Sequence, residues 1–438
     1  MKSPTNPLFL GAICSKIGSG ATPRGGKNAY LTSGPYALIR SQNVLNRGFS
    51  KEGLAYISPE QAKALDGVAV EDGDVLLNIT GDSVARVCQA PAWVLPARVN
   101  QHVAIIRPRP ELLDSKFLRY FLVSPEQQLL LLTHASSGAT RNALIKGMIE
   151  KFEIPAIPIG EQKSRVSVLA ALDNRIEHNR ALAANLEAIA RRLFKSWFVD
   201  FDPIRAKAAG EKPPGLADDI AALFPDRFVE SELGEIPEGW VFQPLSCIAE
   251  FVNGRNFTKD ATGTGRMVIR IAELSNDRPT GSTVWNDLPD TAEQYLANPG
   301  EILFAWSGSL GLHVWDRDTG LVNQHIFKVI PKQPFVAPFV FFAIEELIDD
   351  FRAIAASKAV TMGHIKRGDL DTHGCLCPFT PELLVAFHEI VAPLWNRVRV
   401  ARREVLALGA IRDLLLPRLI SGKLSVEGAV SPIEEAFA

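Results

Sequence analysis

The chain has little that would announce a compartment or a chemistry. Five cysteines among 438 residues form no even framework, which fits a reducing cytoplasm better than a disulfide scaffold. The opening stretch MKSPTNPLFLGAICSKIGSG has too short an apolar patch for a secretory leader. Every longer apolar run is broken by a charge or a proline short of a membrane span, so no membrane partner is expected. A charge excess is also missing, with 47 basic residues against 49 acidic ones. Nothing global draws the chain to nucleic acid, yet binding needs only a local positive face.

Catalytic patterns are missing as well. ATPRGGKN (21–28) has Ala21 where a phosphate loop needs its first glycine, and Asn28 where Ser or Thr would hold the metal. GSGATP (18–23) puts Pro at the third glycine of a dinucleotide fingerprint. His373, Cys375 and Cys377 sit close together with His364 nearby, but no second ligand pair stands at zinc spacing. Ordinary buried or surface cysteines are the plainer reading. PELLDSK (110–116) orders carboxylates and a lysine as a nuclease might, but reads better as a helix start after proline. No Ser-His-Asp or Cys-His set can be argued from spacing. Neither a cofactor nor a metal is expected.

What is present is repetition. VNQH occurs at 99–102 and again at 322–325. The flanks agree. EDGDVLLNITGDSVARV (71–87) faces NPGEILFAWSGSLGLHV (298–314), YALIRSQNV (36–44) faces RMVIRIAEL (266–274), and ATRNALIK (139–146) faces VTMGHIKR (360–367). Order is kept, so the chain is internally duplicated. Each copy opens with strand-like runs between turn residues: VLLNIT and VAIIRP in the first, EILFAW and IFKVI in the second. A helical stretch follows each, at 114–132 and 338–356.

Each copy then ends in a long helix with a heptad seam. The first seam is Leu169, Leu172, Ile176, Asn179, Ala183, Leu186, Ala190, Leu193 and Trp197. The second is Val391, Leu394, Val398, Ala401, Val405, Leu408, Arg412, Leu415 and Leu419, each 222 residues on. Asn179 and Arg412 are polar intrusions of the kind that fix register. A lone amphipathic helix would be a surface helix on a globular core. Two of matched length and register are expected to pair with each other, antiparallel. The helix from Glu161 to Phe198 would span about 57 Å, a spacer of fixed length.

The predicted fold is therefore α+β: two pseudo-repeated β-rich domains separated by two long helices paired as an antiparallel coiled coil. The expected boundaries are 1–156 for the first domain, 157–200 for the central helix, 201–235 for a connector, 236–378 for the second domain, 379–424 for the C-terminal helix and 425–438 for an acidic tail. The stretch 201–240 holds nine acidic and four basic residues with several Pro and Gly. It reads as mostly irregular with one short helix.

Local charge says more than the total. Residues 1–160 carry 17 basic and 12 acidic residues, and 391–423 carry seven and two. Residues 241–390 carry 12 basic and 18 acidic, which counts against simple electrostatic DNA binding there. A reader of base edges can still be acidic overall when its contact loops are not. The loop candidates in the first copy are Arg24, Lys27, Arg40, Gln42, Asn43, Asp82, Ser83, Arg86, Arg141, Asn142 and Lys146. In the second they are Arg255, Asn256, Lys259, Arg270, Ser307, Ser309, Lys358, Thr361, His364 and Lys366. Arg and Lys suit guanine edges and phosphates, Asn and Gln suit adenine edges, although exposed loops are polar in any protein. The shared VNQH reads as structural, with Asn and Gln tying a turn, since two sites reading different sequences should differ where they touch bases.

These segments resemble a known family. IPIGEQKSRVSVLAALDNRIEHNRALAANLEAIARRLFKSWFVDFDP (157–203), LFPDRFVESELGEIPEGW (223–240) and LLLPRLISGKLSV (414–426) are similar to the specificity subunit of type I restriction–modification enzymes. So are GSGATP and FVNGRNF (251–257), and the likeness covers nearly the whole chain. The resemblance implies two target recognition domains, each reading half of a bipartite site in double-stranded DNA, and a coiled coil that sets the gap. It implies a subunit without catalysis that bridges two adenine-N6 methyltransferase subunits and supports an ATP-dependent restriction translocase. Two other readings stand beside it. A coiled-coil protein scaffold that never touches DNA would suit the acidic second copy. A self-contained DNA enzyme would need an Asn-Pro-Pro-Tyr-like tetrapeptide and a Gly-rich cofactor loop, and neither is found.

Overall fold

The structure, a computed structural model, describes residues 7–136, 142–259, 261–276, 279–288, 293–357 and 364–428. The chain forms two compact units, residues 1–174 with 409–438, and residues 175–408. The division falls inside both long helices rather than at their ends.

Besides two short two-stranded ribbons, the first unit carries two four-stranded sheets, built from β1 (Cys14–Ser19), β2 (Tyr36–Ile39), β3 (Ala55–Ile57), β4 (Ala69–Val70), β5 (Val75–Asn78), β6 (Val87–Gln89), β7 (Ala97–Val99) and β8 (Val103–Pro108). One sheet runs β1-β8-β5-β6 and the other β3-β2-β7-β4. The second unit repeats this with β9 (Ala249–Asn253), β10 (Arg266–Ile269), β11 (Trp285–Asn286), β12 (Leu296–Ala297), β13 (Glu301–Ala305), β14 (Gly311–Trp315), β15 (Gly320–Val322) and β16 (Ile326–Pro331). Its sheets run β9-β16-β13-β14 and β11-β10-β15-β12. Each strand thus has its counterpart eight labels later. A parallel strand pairing also recurs at the same place, as β2 with β7 and β10 with β15.

Helix α1 (Ser115–Val123) starts at Asp114, whose side chain caps the Phe117 amide at 2.9 Å. Thus PELLDSK is a helix start. Pro125 ends α1 and opens α2 (Pro125–Ser136). The central helix α3 (Ile159–Phe198) runs for 40 residues. In the second unit α4 (Ala337–Glu346) and α5 (Ile348–Ser357) match α1 and α2, and α6 (Glu382–Ile420) is the C-terminal helix. Among the described residues no helix is long and apolar enough to cross a membrane.

The two long helices meet antiparallel in each unit. In the first, Arg165 donates to the Ile420 carbonyl at 2.7 Å and Arg412 to Asp173 at 2.6 Å. In the second, Asn179 donates to Glu404 at 2.6 Å and Arg402 to Glu187 at 2.6 Å. Rising numbers on α3 meet falling numbers on α6 both times. Of the seam, Leu169, Leu172, Ile176, Asn179, Ala183, Ala190 and Trp197 are buried, as are Val391, Val398, Ala401, Leu408, Arg412, Leu415 and Leu419. Leu186, Leu193, Leu394 and Val405 are only partly covered.

The connector is more structured than its composition implies. It holds two short helices, Asp202–Ala208 and Asp218–Ala222, and a ribbon of Phe228–Ser231 with Gly234–Pro237. Ile204 and Phe224 anchor it in the aromatic core of the second unit, with Phe224 edge-on to Trp197 at 5.1 Å. A few buried side chains order this segment despite its acidic, proline-rich average.

Candidate nucleic-acid interface

The repeated VNQH is a crossing point between sheets. In the first unit it links β7 of one sheet to β8 of the other. Asn100 donates its amide to the Ile39 carbonyl at 3.0 Å, and its Oδ1 accepts from the His102 amide at 3.1 Å. In the second, the Asn323 amide donates to the Ile269 carbonyl at 3.1 Å, and the Asn323 carbonyl accepts from Ile326 at 3.1 Å. Both asparagines are buried. A glycine packs on each crossing: a Cβ on Gly20 would strike the Val99 carbonyl, and one on Gly254 would strike the carbonyls of Val322 and Asn323. Gly20 lies in GSGATP and Gly254 in FVNGRNF, so both unit-start motifs are shaped by that close approach.

Around this crossing the structure gathers the predicted loops. In the first unit Asn78 donates its Nδ2 to the Ser41 carbonyl at 2.8 Å, which brings 40–43 beside the end of β5. The Ile79 amide donates to the His102 carbonyl at 3.0 Å, Thr80 Oγ1 lies 2.6 Å from His102 Nδ1, and the Leu144 amide donates to the Ile79 carbonyl at 2.8 Å. Residues from 41, 80, 102 and 144 therefore share one rim. Arg24, Gln42, Asp82, Arg86, Asn142 and Lys146 are exposed and Ser83 is half-buried. Lys146 sits 3.6 Å from Glu150, an exposed pair of little weight.

The second unit builds the same rim. The Trp306 amide donates to the His325 carbonyl and the Ile365 amide to the Trp306 carbonyl, each at 3.2 Å. Ser307 bridges to His364, and Arg255 to Asn323. Arg255, Asn256, Lys259, Ser309, His364 and Lys366 are exposed. The Arg255 guanidinium lies over the Tyr295 ring, 5.3 Å from its centroid.

Four candidates are corrected. Asn43 is fully buried: its Nδ2 donates to the carbonyls of Ser50 and Glu52, and its Oδ1 accepts from the Arg40 amide. It closes a turn and has no atom left for a base. Arg40 is held by the Gly53 carbonyl and covers the Tyr30 ring at 5.1 Å. Arg270, its repeat equivalent, grips Glu273 through two bonds of 2.9 and 2.7 Å and the Ser282 carbonyl at 2.7 Å. That grip raises the Arg270 pKa further, chiefly through the hydrogen bond to Glu273. Ser307 is buried under the rim. In both copies the arginine before the turn is framework. Arg141, Lys358 and Thr361 lie outside the described residues, as does the Lys27 side chain.

Sequence reasoning missed Trp306. Its Nε1 donates to Asn253 Oδ1 at 3.0 Å, and its ring lies 5.7 Å from His325, 6.2 Å from His364 and 5.6 Å from Phe327. The first unit has Ile79 and Ala143 in the matching places. The aligned blocks 71–87 and 298–314 already set Ile79 opposite Trp306, and a tryptophan at the end of a strand-like run was the signal to follow.

Cys375 and Cys377 share a strand, Gly374–Pro378, with sulfurs 3.6 Å apart. Hydrogen bonding to Cys375 and burial push the Cys377 thiol well up. His373 is instead turned to the Asp369 carbonyl at 2.8 Å. Among the described residues no three His, Cys, Asp or Glu side chains converge as a metal site would require.

Two crossing turns, two equivalent rims and paired long helices define a duplicated recognition scaffold. The model of the type I restriction modification DNA specificity domain matches residues 8–188 and again 237–373, and the chain belongs to that family. It is 23% identical to the specificity subunit of the type I restriction enzyme HindI from Haemophilus influenzae, over 88% of this chain and 94% of the relative. It is 26% identical to the MjaIX specificity subunit from Methanocaldococcus jannaschii, over 76% of this chain and 74% of the relative. A crystal structure of a type I S subunit from M. genitalium shares the fold, with a TM-score of 0.52 at 16% identity over 96% of this chain and 97% of that one.

Proposed function

We propose that this chain is the DNA-reading subunit of a type I restriction–modification complex, with one recognition lobe per half-site and no reaction of its own. The observation that carries this is the double match of a DNA specificity domain, once on each copy of the repeat. The rims supply what such a reader needs. Framework residues position the loops, and exposed Arg, Lys, Asn, Gln and His surround the crossing turn in positions suited to base edges and phosphates. The subunit would act beside two adenine-N6 methyltransferase subunits and a restriction translocase, which supply the chemistry. The paired helices would hold the half-sites at a set gap.

Adenine methylation mapped across the genome, with and without this gene, tests the reading. One bipartite motif should lose methylation when the gene is removed. Unchanged methylation, or loss at a continuous motif, would refute it. A heptad inserted in each long helix, about 10.5 Å of added rod, should change the gap and leave both half-sites as they were.

A further inference from the structure

In the first unit one carboxylate joins three elements. Asp173 lies on α3, one place beyond the seam residue Leu172. Its Oδ2 accepts from Arg119 at 2.5 Å and from the Tyr120 hydroxyl at 2.7 Å, both on α1. Its Oδ1 accepts from Arg412, on α6, at 2.6 Å. The side chains of Arg119 and Arg412 are each 9% exposed. Arg119 continues the chain of contacts to the Asn46 carbonyl at 3.4 Å, and Asn46 Oδ1 accepts from the Val87 amide at 2.8 Å. The link therefore runs from the helix pair through α1 into the sheet that ends in the rim.

Packing alone does not call for this arrangement. Well-packed apolar side chains of similar size hold helices together as well as a buried ion triad, and often better. What apolar contact does not fix is rotation. A carboxylate with two arginines on opposite oxygens and a tyrosine hydroxyl beside them accepts one mutual orientation of α1, α3 and α6. Arg412 also occupies a seam position, where a charge weakens the coil. Its guanidinium is directed at the residue that grips the recognition lobe. Burial acts to raise the Asp173 pKa, but the charges of Arg119 and Arg412 outweigh it and the carboxyl stays ionised below its ordinary range. Among the described residues the second unit centres no single carboxylate in this way: it uses a chain of pairs, Arg402 to Glu187 at 2.6 Å, Arg191 to Glu187 at 3.2 Å and Arg191 to Glu345 at 2.8 Å, with Arg399 to Asp316 at 3.0 Å beside it.

We infer that Asp173 is a positioning residue: it sets the direction in which the first recognition lobe leaves the helix pair, and so the gap between half-sites that the protein accepts. This rests on the function proposed above.

The test uses the full chain in complex with an adenine methyltransferase subunit. Binding is measured on duplexes with both half-sites fixed and the gap varied by single base pairs. The variants are Asp173→Asn, Asp173→Glu, and an apolar triple of Arg119→Leu, Asp173→Leu and Arg412→Met, which keeps a packed alternative. The unaltered chain should penalise a one-base-pair error by about tenfold, the scale of a lost base contact. In Asp173→Asn and in the triple that penalty should fall to about threefold or less while half-site preference persists, and Asp173→Glu should restore part of it. A triple that melts cooperatively and keeps the full penalty overturns the inference. So does a triple that no longer folds, since the triad would then serve stability. An unaltered chain that prefers no bipartite sequence refutes the functional reading instead.

Discussion

The two lobes share eight strands in one order, a parallel strand pairing at the same place and a buried crossing turn, yet they differ at several side chains of the rim. Ile79 and Ala143 stand where the second lobe has Trp306 and His364. Thr80 binds His102 in one lobe, while His325 leans on Trp306 in the other. The attachments to the helices differ as well. In the second unit a plug of edge-to-face aromatics joins lobe and helices: Phe339 meets Phe194 and Phe198, and Phe198 meets Phe387. The first has Arg165 in the register place of Phe387, tied to the Ile420 carbonyl. Glycine, asparagine and backbone bonds were kept through duplication because they build the frame.

The comparison is broken most sharply at the aromatic plug. Phe387→Ala removes a fully buried ring and should cost the second unit about 3–5 kcal/mol. Chemical denaturation should show that unit melting early while the first keeps its midpoint. Equal loss in both would mean that the two units do not unfold separately.

The crossing glycines come next. Gly20→Ala and Gly254→Ala each force a methyl group into backbone carbonyls, and each should cost about 1–3 kcal/mol. Similar losses in the two units would confirm one shared frame. A tolerated substitution in one lobe would show that its turn has relaxed.

At the rim the effect should be on reading rather than folding. Trp306→Ala should relax one half of the methylated motif by about tenfold, and Ile79→Ala should leave that half alone. Methylation mapping of each variant reads the result. Relaxation of both halves by either variant would contradict separate reading.

The gentlest contrast is pH. His313 on β14 is held near a pKa of about 4, against an ordinary 6.5, first by burial and then by Arg402. The unfolded chain therefore takes up this proton at a higher pH than the folded one does. The second unit should lose stability as pH falls from 6.5 towards 4, and His313→Leu should flatten that decline. The matching residue of the first unit is Cys88, whose thiol burial pushes up to about 12, so it contributes nothing in that window.

Much of this frame was readable from sequence because period and repetition survive averaging. The seams alternate steps of three and four, and the duplicated blocks keep their order. The rim was readable as a set of loops, but its members were not separable. Asn43 and Gln42 are neighbouring polar residues in a turn, and only coordinates show that Asn43 is buried with its side chain fully engaged while Gln42 stays exposed with one bond, from its Nε2 to the Gly53 carbonyl at 3.1 Å. Asp173 gave no signal, because its importance comes from Arg119 and Arg412, 54 and 239 residues away. The connector was misread because Ile204 and Phe224 are two anchors in a stretch whose average is acidic and irregular.

The division of the chain has a consequence for synthesis. The second unit is one continuous stretch, residues 175–408, whereas the first needs residues from 409 onward. Asp173 and Arg165 must wait for Arg412 and Ile420, which are made 239 and 255 residues later. At about 5–20 residues per second the first lobe spends over ten seconds without its second helix. A nascent chain stopped at Leu408 should thus contain a finished second lobe and an unfinished first one, although the first was made earlier.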